Sequence, residues 1–480
     1  MPMYTPVITE IACPTSGLAA FLHLAERPGA VLLESSARDP RLGRWSFVAS
    51  DPFLTFRSKG RQVEVADRNG VTVREANPFF ALADLLSQYR SARPPAAPPL
   101  LGGAIGYFAY DLGRFVERIP ERVVDDVPIA DCHLGCYGAV LAIDHVEQRA
   151  WVCAIGAPES DPGVARRLAE VRTAEMVARL TMPFADPPVQ SVEGAGEFAL
   201  ASNFTREEYL RAVGRAKEYI AAGDIYQVNL SQRLHAPLAT SPRALYRRLA
   251  HTNPSPFAAY LETPEAAIVS CSPERFLQVR GSEVETRPIK GTRPRGATAE
   301  EDARLAAELL ASEKDRAENV MIVDLERNDL GKVCEYGSVH VRELFAVESY
   351  ATVHHLVSTV QGRLRSGMTA LDCLREAFPG GSITGAPKVR SMEIIEELEP
   401  TRRGVYTGAI GYLCFSGDMD VNIVIRTVVV KNGVAYFQVG GGIVADSDPE
   451  AEYQETVDKA QALAQALGAE AGVERIRWPE

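Results

Sequence analysis

The sequence predicts an α+β fold built largely on antiparallel sheet. Two observations carry that reading. In the first third of the chain, β-like runs follow one another across turns rather than across regular helices, so neighbouring strands reverse direction. Farther on, runs of strand give way to runs of helix and then to strands again, which departs from the regular alternation of a βαβ chain. The 480 residues exceed what one hydrophobic core usually supports, so one large domain or two interlocking ones are expected.

The elements follow in order. "AVLLESS", "RWSFVAS", "LTFRS", "QVEVA", "VTVRE", "AVLAIDH" and "RAWVCAIG" read as short strands. "GVARRLAEVRTAEMVARLT" is amphipathic and predicts a helix. Two proline-rich stretches, "ARPPAAPP" (Ala92–Pro99) and "PFADPPVQSVEGAGEF" (Pro183–Phe198), cannot continue a helix or a central strand. The second is placed as the main boundary, between an N-terminal domain over 1–190 and a catalytic domain over 203–470. The second part opens on "TREEYLRAVGRAKEYIAAGD", where Thr205 and Glu208 make a capping-box pattern and Gly223 marks the helix stop. "IYQVNLSQRL" alternates as a strand does, and "AAIVSCSPERFLQVRGSEVETRPIKGT" reads as strands broken by turns. "EEDARLAAELLASEKDRAENVMIVDLERNDLGKV" reads as helical. "DVNIVIRTVVVKNGVAYFQVGGGIV" predicts a hairpin turning at Asn432–Gly433, and "DPEAEYQETVDKAQALAQAL" a last helix with Pro449 in its first turn.

Composition narrows the function classes. Hydrophobic residues are 46% and charged residues 24%, as in soluble globular proteins. Acids outnumber bases 63 to 51, which argues against a general nucleic-acid binder but leaves room for an anionic small molecule in a local basic pocket. No basic segment leads into an apolar run at the N-terminus, and no apolar stretch has the length of a membrane span, so a cytosolic (cytoplasmic) protein without membrane contact is expected. Of the 8 cysteines only "CHLGC" brings two close, with no second ligand pair at like spacing, so buried free thiols are expected.

Several groups of residues have chemical potential. Glu452, Glu455 and Lys459 fall at i, i+3 and i+7, on one face of the last helix. Asp315 and Glu318 form a second i, i+3 pair. Two such pairs supply hard-oxygen ligands for Mg²⁺, which takes one or two protein carboxylates and leaves positions for substrate and water. Spacing alone equally describes solvated faces. Gly440, Gly441 and Gly442 read as a loop that lets an anion approach backbone N–H groups, or as a tight turn. Glu274 in "SPERF" suits a general acid if burial raises its pKa. Lys290 in "ETRPIKGTRPRG" is the sharpest case. At an ordinary pKa only about one lysine in 2,500 is a neutral amine at pH 7, and each unit of lowering multiplies that tenfold. Desolvation or the neighbouring cations Arg287, Arg293 and Arg295 would provide such lowering; the bland alternative is a loop lysine in water.

Taken together and in order, these segments resemble the chorismate-utilising enzymes, a family that includes anthranilate synthase component I, aminodeoxychorismate synthase component I, isochorismate synthase and salicylate synthase. The matching segments are "IYQVNLSQ", "SPERF", "RPIKGTRPRG", "ENVMIVDLERNDLGKV", "VHHLVSTVQG", "FPGGSITGAPKVRSMEIIEELEP", "RGVYTGAIGY", "VNIVIRT" and "VGGGIVADSDPEAEYQET", over Phe204 to Leu467. The N-terminal part is similar to the anthranilate-synthase-like domain through "VLLESS", "RWSFVASDPF" and "GGAIGYFAYDLGR". The resemblance implies large antiparallel sheets packed as a sandwich with flanking helices.

It also implies roles. Gln227 stands where the isochorismate- and salicylate-forming members carry a water-activating lysine. Lys290 stands where anthranilate-forming members carry alanine, and resembles the covalent nucleophile of the aminodeoxychorismate-forming members. The activity implied is conversion of chorismate and ammonia to 4-amino-4-deoxychorismate, for 4-aminobenzoate and folate; the alternative is anthranilate formation for tryptophan. Glu274 would be the acid. Glu318 and Glu455 would hold Mg²⁺, with Asp315 and Glu452 beside them. Gln227, Gly291, Thr292, His355 (or adjacent His354), Ser382, Tyr406, Arg426, Gly440, Gly442 and Lys459 would contact substrate. Lys388 receives no role. Ammonia would come from a separate glutamine amidotransferase subunit. "VLLESS" (Val31–Ser36) resembles a tryptophan-binding segment and reads either as such a site, near Glu34–Ser36, or as a core strand.

Overall fold

Along the strand Ala139–Asp144, Leu141 and Ile143 enter one core while Val140 and Ala142 enter another, and all four are fully buried. A strand apolar on both faces needs a packed layer on each side. The computed structural model of the chain, which describes residues 3–37, 41–183, 200–350, 353–468 and 476–477, supplies both layers.

A 13-stranded and a 12-stranded sheet lie face to face. Phe47, Val140 and Ile268 from the first meet Ile105, Tyr107 and Tyr412 from the second in the core between them. The outer face of the first sheet is covered by the helices Arg206–Ala221, Pro242–Thr252 and Pro449–Leu467, through Tyr209, Val213, Leu249, Tyr453 and Leu463. The helices Pro78–Leu86, Glu313–Gly331 and Ala370–Ala377 cover the second, through Phe79, Leu82, Val323 and Leu374. Each fully buried side chain of this kind contributes ~1.5–3 kcal/mol. The result is the expected α+β sandwich of antiparallel sheets with flanking helices.

Both sheets interleave strands from the two ends of the chain. Val31–Glu34 pairs with Phe257–Glu262, and Gly103–Phe108 pairs with Ala409–Cys414. The boundary stretch Pro183–Phe198, beyond Pro183 itself, lies outside the described residues. Two short pairings are parallel rather than antiparallel: Met3–Tyr4 with Arg90–Ser91, and Leu200–Ser202 with Ile476–Arg477.

Local signals behave as their chemistry requires. Thr205 and Glu208 close a reciprocal capping box. Asn432 and Gly433 take φ of 51° and 75°, the left-handed pair a tight hairpin demands. Two expectations need correction. The stretch read as one helix before Lys332 is two, Ala299–Ala311 and Glu313–Gly331, because Ser312 leaves helical geometry at ψ 112° and caps the second with its side chain. Gly440–Gly442 form no loop; they complete the strand Val434–Ile443, in register with Ser231, Leu230 and Asn229. All the cysteines are free thiols, buried except for half-buried Cys13. Among the described residues no helix is long and apolar enough to cross a membrane.

Candidate active site

Lys290 owes its position to a defect in the sheet. The strand Ile289–Pro294 pairs with Val353–Arg363, but Ile289 faces Val357 and Thr292 faces His355, so one extra residue bulges out. Gly291, at φ +84°, makes the bulge. A Cβ there would stand 2.9 Å from the Asp315 side chain, so only glycine lets the acidic helix Glu313–Gly331 come this close.

The Lys290 Nζ donates to the Ser382 carbonyl at 2.9 Å, and the same carbonyl accepts from Asn229 Nδ2 at 2.7 Å. Lys290 keeps part of its surface open to solvent. Protein nonetheless crowds the amine, and burial holds its pKa below the ordinary 10.5; Glu274, Glu318 and Glu455 pull it up, and Lys459 pushes it down. The arginines of "ETRPIKGTRPRG" take no part in this. Arg287 pairs with Glu348, Arg293 with Glu308 and Asp315, and Arg295 with Asp302. The expectation that they lower the Lys290 pKa is therefore corrected: burial lowers it, assisted by Lys459.

Glu274 follows the buried strand Ala267–Ser272 and is itself 5% exposed. Burial raises its pKa, against the Ser382 hydroxyl, Lys290 and the Ile289 N–H, which favour its charge. Glu274 and Lys290 thus share Ser382, one at the hydroxyl and the other at the carbonyl. A raised carboxyl beside a lowered amine is the pairing that acid and nucleophile chemistry uses.

His355 also faces this place. Its Nδ1 lies 2.9 Å from Thr292 Oγ1, and its buried Nε2 has no hydrogen-bond partner among the described residues. Burial, then Arg426, push its pKa down to about 3. His354 points elsewhere, to Asp302 and Ser349. Arg426 sits at φ +50° and reaches Asn253 Oδ1 at 3.4 Å, with no carboxylate partner among the described residues. Gln227 is fully buried, its Oε1 unpartnered and its Nε2 3.5 Å from Asn229 Oδ1. Tyr406 packs against Arg403, which donates to the Asn229 and Ile383 carbonyls and so braces the floor under Ser382.

The last helix brings its carboxylates to the glycine strand. A Cβ on Gly441 would lie 2.9 Å from Glu452 Oε2 and 3.7 Å from Glu455 Oε1, and one on Gly442 would lie 2.2 Å from Gln227 Nε2. Glycine is what permits these approaches. Lys459 donates to the Gly440 carbonyl at 2.9 Å and pairs with Glu455 at 2.6 Å. Burial opposes the Glu455 charge, but Lys459 outweighs it and the pKa falls. Glu452 is raised by burial and accepts from Ser447. Glu318 is raised by burial, and its charge is opposed by Asp315 and Glu455. It makes no hydrogen bond or ion pair among the described residues, whereas Asp315 is tied to Arg293 at 3.1 Å. No three His, Cys, Asp or Glu side chains among the described residues form a ready metal cluster. A divalent cation sharing two carboxylates needs only two, and Glu318, whose charge Glu455 opposes, fits that donor set together with Glu455.

Sequence reasoning missed three supports. Asn229 lies two residues from Gln227, the strand period that puts both on one face. Arg403 forms a buried pair with Glu399 at 2.7 Å. Lys388 is a buried partner of Asp329 and of the Ala377 carbonyl, which gives it a structural role. Away from this site, a cavity of about 580 Å³ lies between the sheets, bordered by Leu33, Glu34 and Ser35. Val31–Glu34 is a core strand, and the Glu34 carboxylate turns to the Tyr246 hydroxyl and the Leu18 N–H.

Comparison with known proteins identifies the family. A family model described as chorismate binding enzyme matches residues 31–465. Aminodeoxychorismate synthase component 1 of Bacillus subtilis is 43% identical, across 94% of this chain and 94% of its own length. Anthranilate synthase component 1 of Thermus thermophilus is 46% identical, across 97% and 98%. The crystal structure of anthranilate synthase component I from Streptococcus pneumoniae superposes with a TM-score of 0.76 at 34% identity, covering 89% of this chain and 93% of that one. The fold, the site and these matches lead to one conclusion: the chain belongs to the chorismate-binding enzymes.

Proposed function

We propose that this chorismate-binding enzyme forms 4-amino-4-deoxychorismate from chorismate and ammonia, with ammonia supplied by a separate glutamine amidotransferase subunit. The observation that carries the proposal is Lys290, a crowded amine with a lowered pKa, sharing Ser382 with the buried acid Glu274. Relatives making either product are similarly close, so overall identity does not choose between them.

In this reading the neutral Lys290 amine attacks ring carbon C2. The ring double bonds shift, the C4–O bond breaks, and Glu274 delivers the proton that lets the hydroxyl leave as water. Ammonia then adds at C4, the double bonds shift back, and the C2–N bond to Lys290 breaks. Two displacements in sequence place the new amine on the carbon that lost its hydroxyl. Arg426, with no carboxylate of its own, receives a substrate carboxylate, and the Gly440–Gly442 strand lets the ring approach the acidic helices. Glu318 and Glu455 would hold Mg²⁺, which when bound would neutralise a substrate carboxylate and orient the ring.

The second reading is anthranilate formation, favoured by the 46% identity to the Thermus thermophilus enzyme. Product analysis separates them. Chorismate and ammonium with Mg²⁺ are expected to yield 4-amino-4-deoxychorismate; fluorescent anthranilate appearing without an added lyase refutes the proposal.

A further inference from the structure

The helix Glu313–Gly331 turns Asn319, Ile322, Val323, Glu326 and Leu330 into the protein. Glu326 is 2% exposed, and the chemistry above does not use it. Its hydrogen bonds go to neutral groups. Oε1 accepts the Gly381 N–H at 3.2 Å, and Oε2 shares a hydrogen bond with the Thr286 hydroxyl at 3.3 Å. The charged and titratable groups facing it are Asp329 on its own helix, Lys388 at the start of Lys388–Leu398, Glu274 beside the strand Arg275–Arg280, and the buried Cys373 thiol of the helix Ala370–Ala377, whose pKa burial pushes up. Asp329 already engages Lys388 and Lys332, so it absorbs the nearest positive charge. Burial, then Asp329, raise the Glu326 pKa to about 8, which keeps a proton on it at neutral pH.

Both hydrogen-bond partners belong to segments of the active site. Thr286 ends the strand that leads through Pro288 into Lys290. Gly381 precedes Ser382, whose carbonyl receives Lys290 Nζ and whose hydroxyl bonds Glu274. A Cβ on Gly381 would lie 2.5 Å from Leu325 Cδ2 and 3.2 Å from Glu326 Oε1, so helix and turn touch directly.

We infer that Glu326 is a positioning residue: through Oε1 and Oε2 it clamps the Thr286 segment to the Gly381–Ser382 turn, and so sets Lys290 against Ser382 and Glu274. The inference rests on the proposed roles of Lys290 and Glu274. Ionised, Glu326 would face Asp329 and Glu274 as a third carboxylate, and the clamp would loosen by repulsion.

The test is steady-state turnover of chorismate and ammonium from neutral to alkaline pH, in Glu326→Leu, Glu326→Gln and, alongside, Lys290→Ala. Misplacing reacting groups by about 1 Å costs on the order of 100-fold, so Glu326→Leu is expected to lose ten- to 100-fold in kcat with little change in the chorismate KM. Gln offers an acceptor to Gly381 and a donor to Thr286 without charge. It is expected to restore most of kcat and to abolish the alkaline fall expected of the parent as Glu326 ionises. The inference is overturned if Leu keeps the parent kcat, if Gln is as damaged as Leu, or if the alkaline fall persists in the Gln variant. Undiminished product from Lys290→Ala would instead remove the nucleophile reading itself.

Discussion

Replacing Arg426 with alanine is expected to weaken chorismate capture and to leave the free protein no less stable. The two halves of that prediction come from one geometry. Arg426 is partly buried, and burial alone lowers its pKa, because its one side-chain hydrogen-bond partner among the described residues is the neutral Asn253 Oδ1 at 3.4 Å. A guanidinium held without a carboxylate contributes a desolvation cost to the free protein, and alanine removes that cost. Substrate supplies the missing anion. Hydrogen bonds to charged groups contribute about 1.5–3 kcal/mol, so losing one weakens binding roughly 10- to 160-fold. The backbone sharpens the test. At φ +50° a residue with a Cβ bears about 1–2 kcal/mol of strain that glycine escapes, so Arg426→Gly is expected to be the more stable of the two variants while binding as poorly as Arg426→Ala. Calorimetric titration with chorismate, in the absence of ammonia, measures the first effect; thermal unfolding measures the second. Unchanged chorismate affinity, together with a marked loss of stability in Arg426→Ala, would show that the arginine serves the fold instead.

Further expectations concern acid stability and metal. His355 is neutral when folded, with a pKa pushed down to about 3, whereas the unfolded chain titrates near the ordinary 6.5. Below 6.5 the unfolded state binds a proton that the folded state refuses, so stability falls by ~1.4 kcal/mol per pH unit until about 3. His133, pushed down to about 4 by burial, adds the same slope over its own window. Denaturant unfolding of His355→Gln at decreasing pH should show the slope reduced by one proton; an unchanged slope contradicts the burial argument. Chelation should abolish turnover, and Glu318→Gln or Glu455→Gln should raise the Mg²⁺ concentration that restores it. Full activity in excess chelator would rule out the carboxylate pair as a metal site.

What could be read from the sequence was local. The capping box at Thr205, the Asn432–Gly433 turn and the β-like run "AVLAIDH" each depend on residues a few positions apart, and each appears as expected. The α+β class followed from strands joined across turns and from runs of strand, helix and strand. What escaped depends on distant partners. Lys290 meets a carbonyl 92 residues away, and that carbonyl meets Asn229 across 153 residues. The charge-rich motif around Lys290 misled for the same reason: its arginines look like neighbours of the amine in sequence, yet each turns to its own carboxylate in space. The three glycines read as a loop because sequence shows their missing side chains but not the helix packed against them. Glu326 did leave a signal, an acid on the buried stripe of Asn319, Ile322, Val323 and Leu330. Helical periodicity exposes such a misfit, but not the turn that it serves.

The central claim is that Lys290 forms and breaks a bond to the substrate. Incubating the enzyme with chorismate and Mg²⁺ while withholding ammonia should stall the reaction after the first displacement. Mass analysis is then expected to find the peptide carrying Lys290 heavier by one chorismate less one water, with the gain disappearing when ammonium is added. A Lys290 peptide that stays unmodified in an enzyme still turning over chorismate and ammonium to 4-amino-4-deoxychorismate would contradict the account.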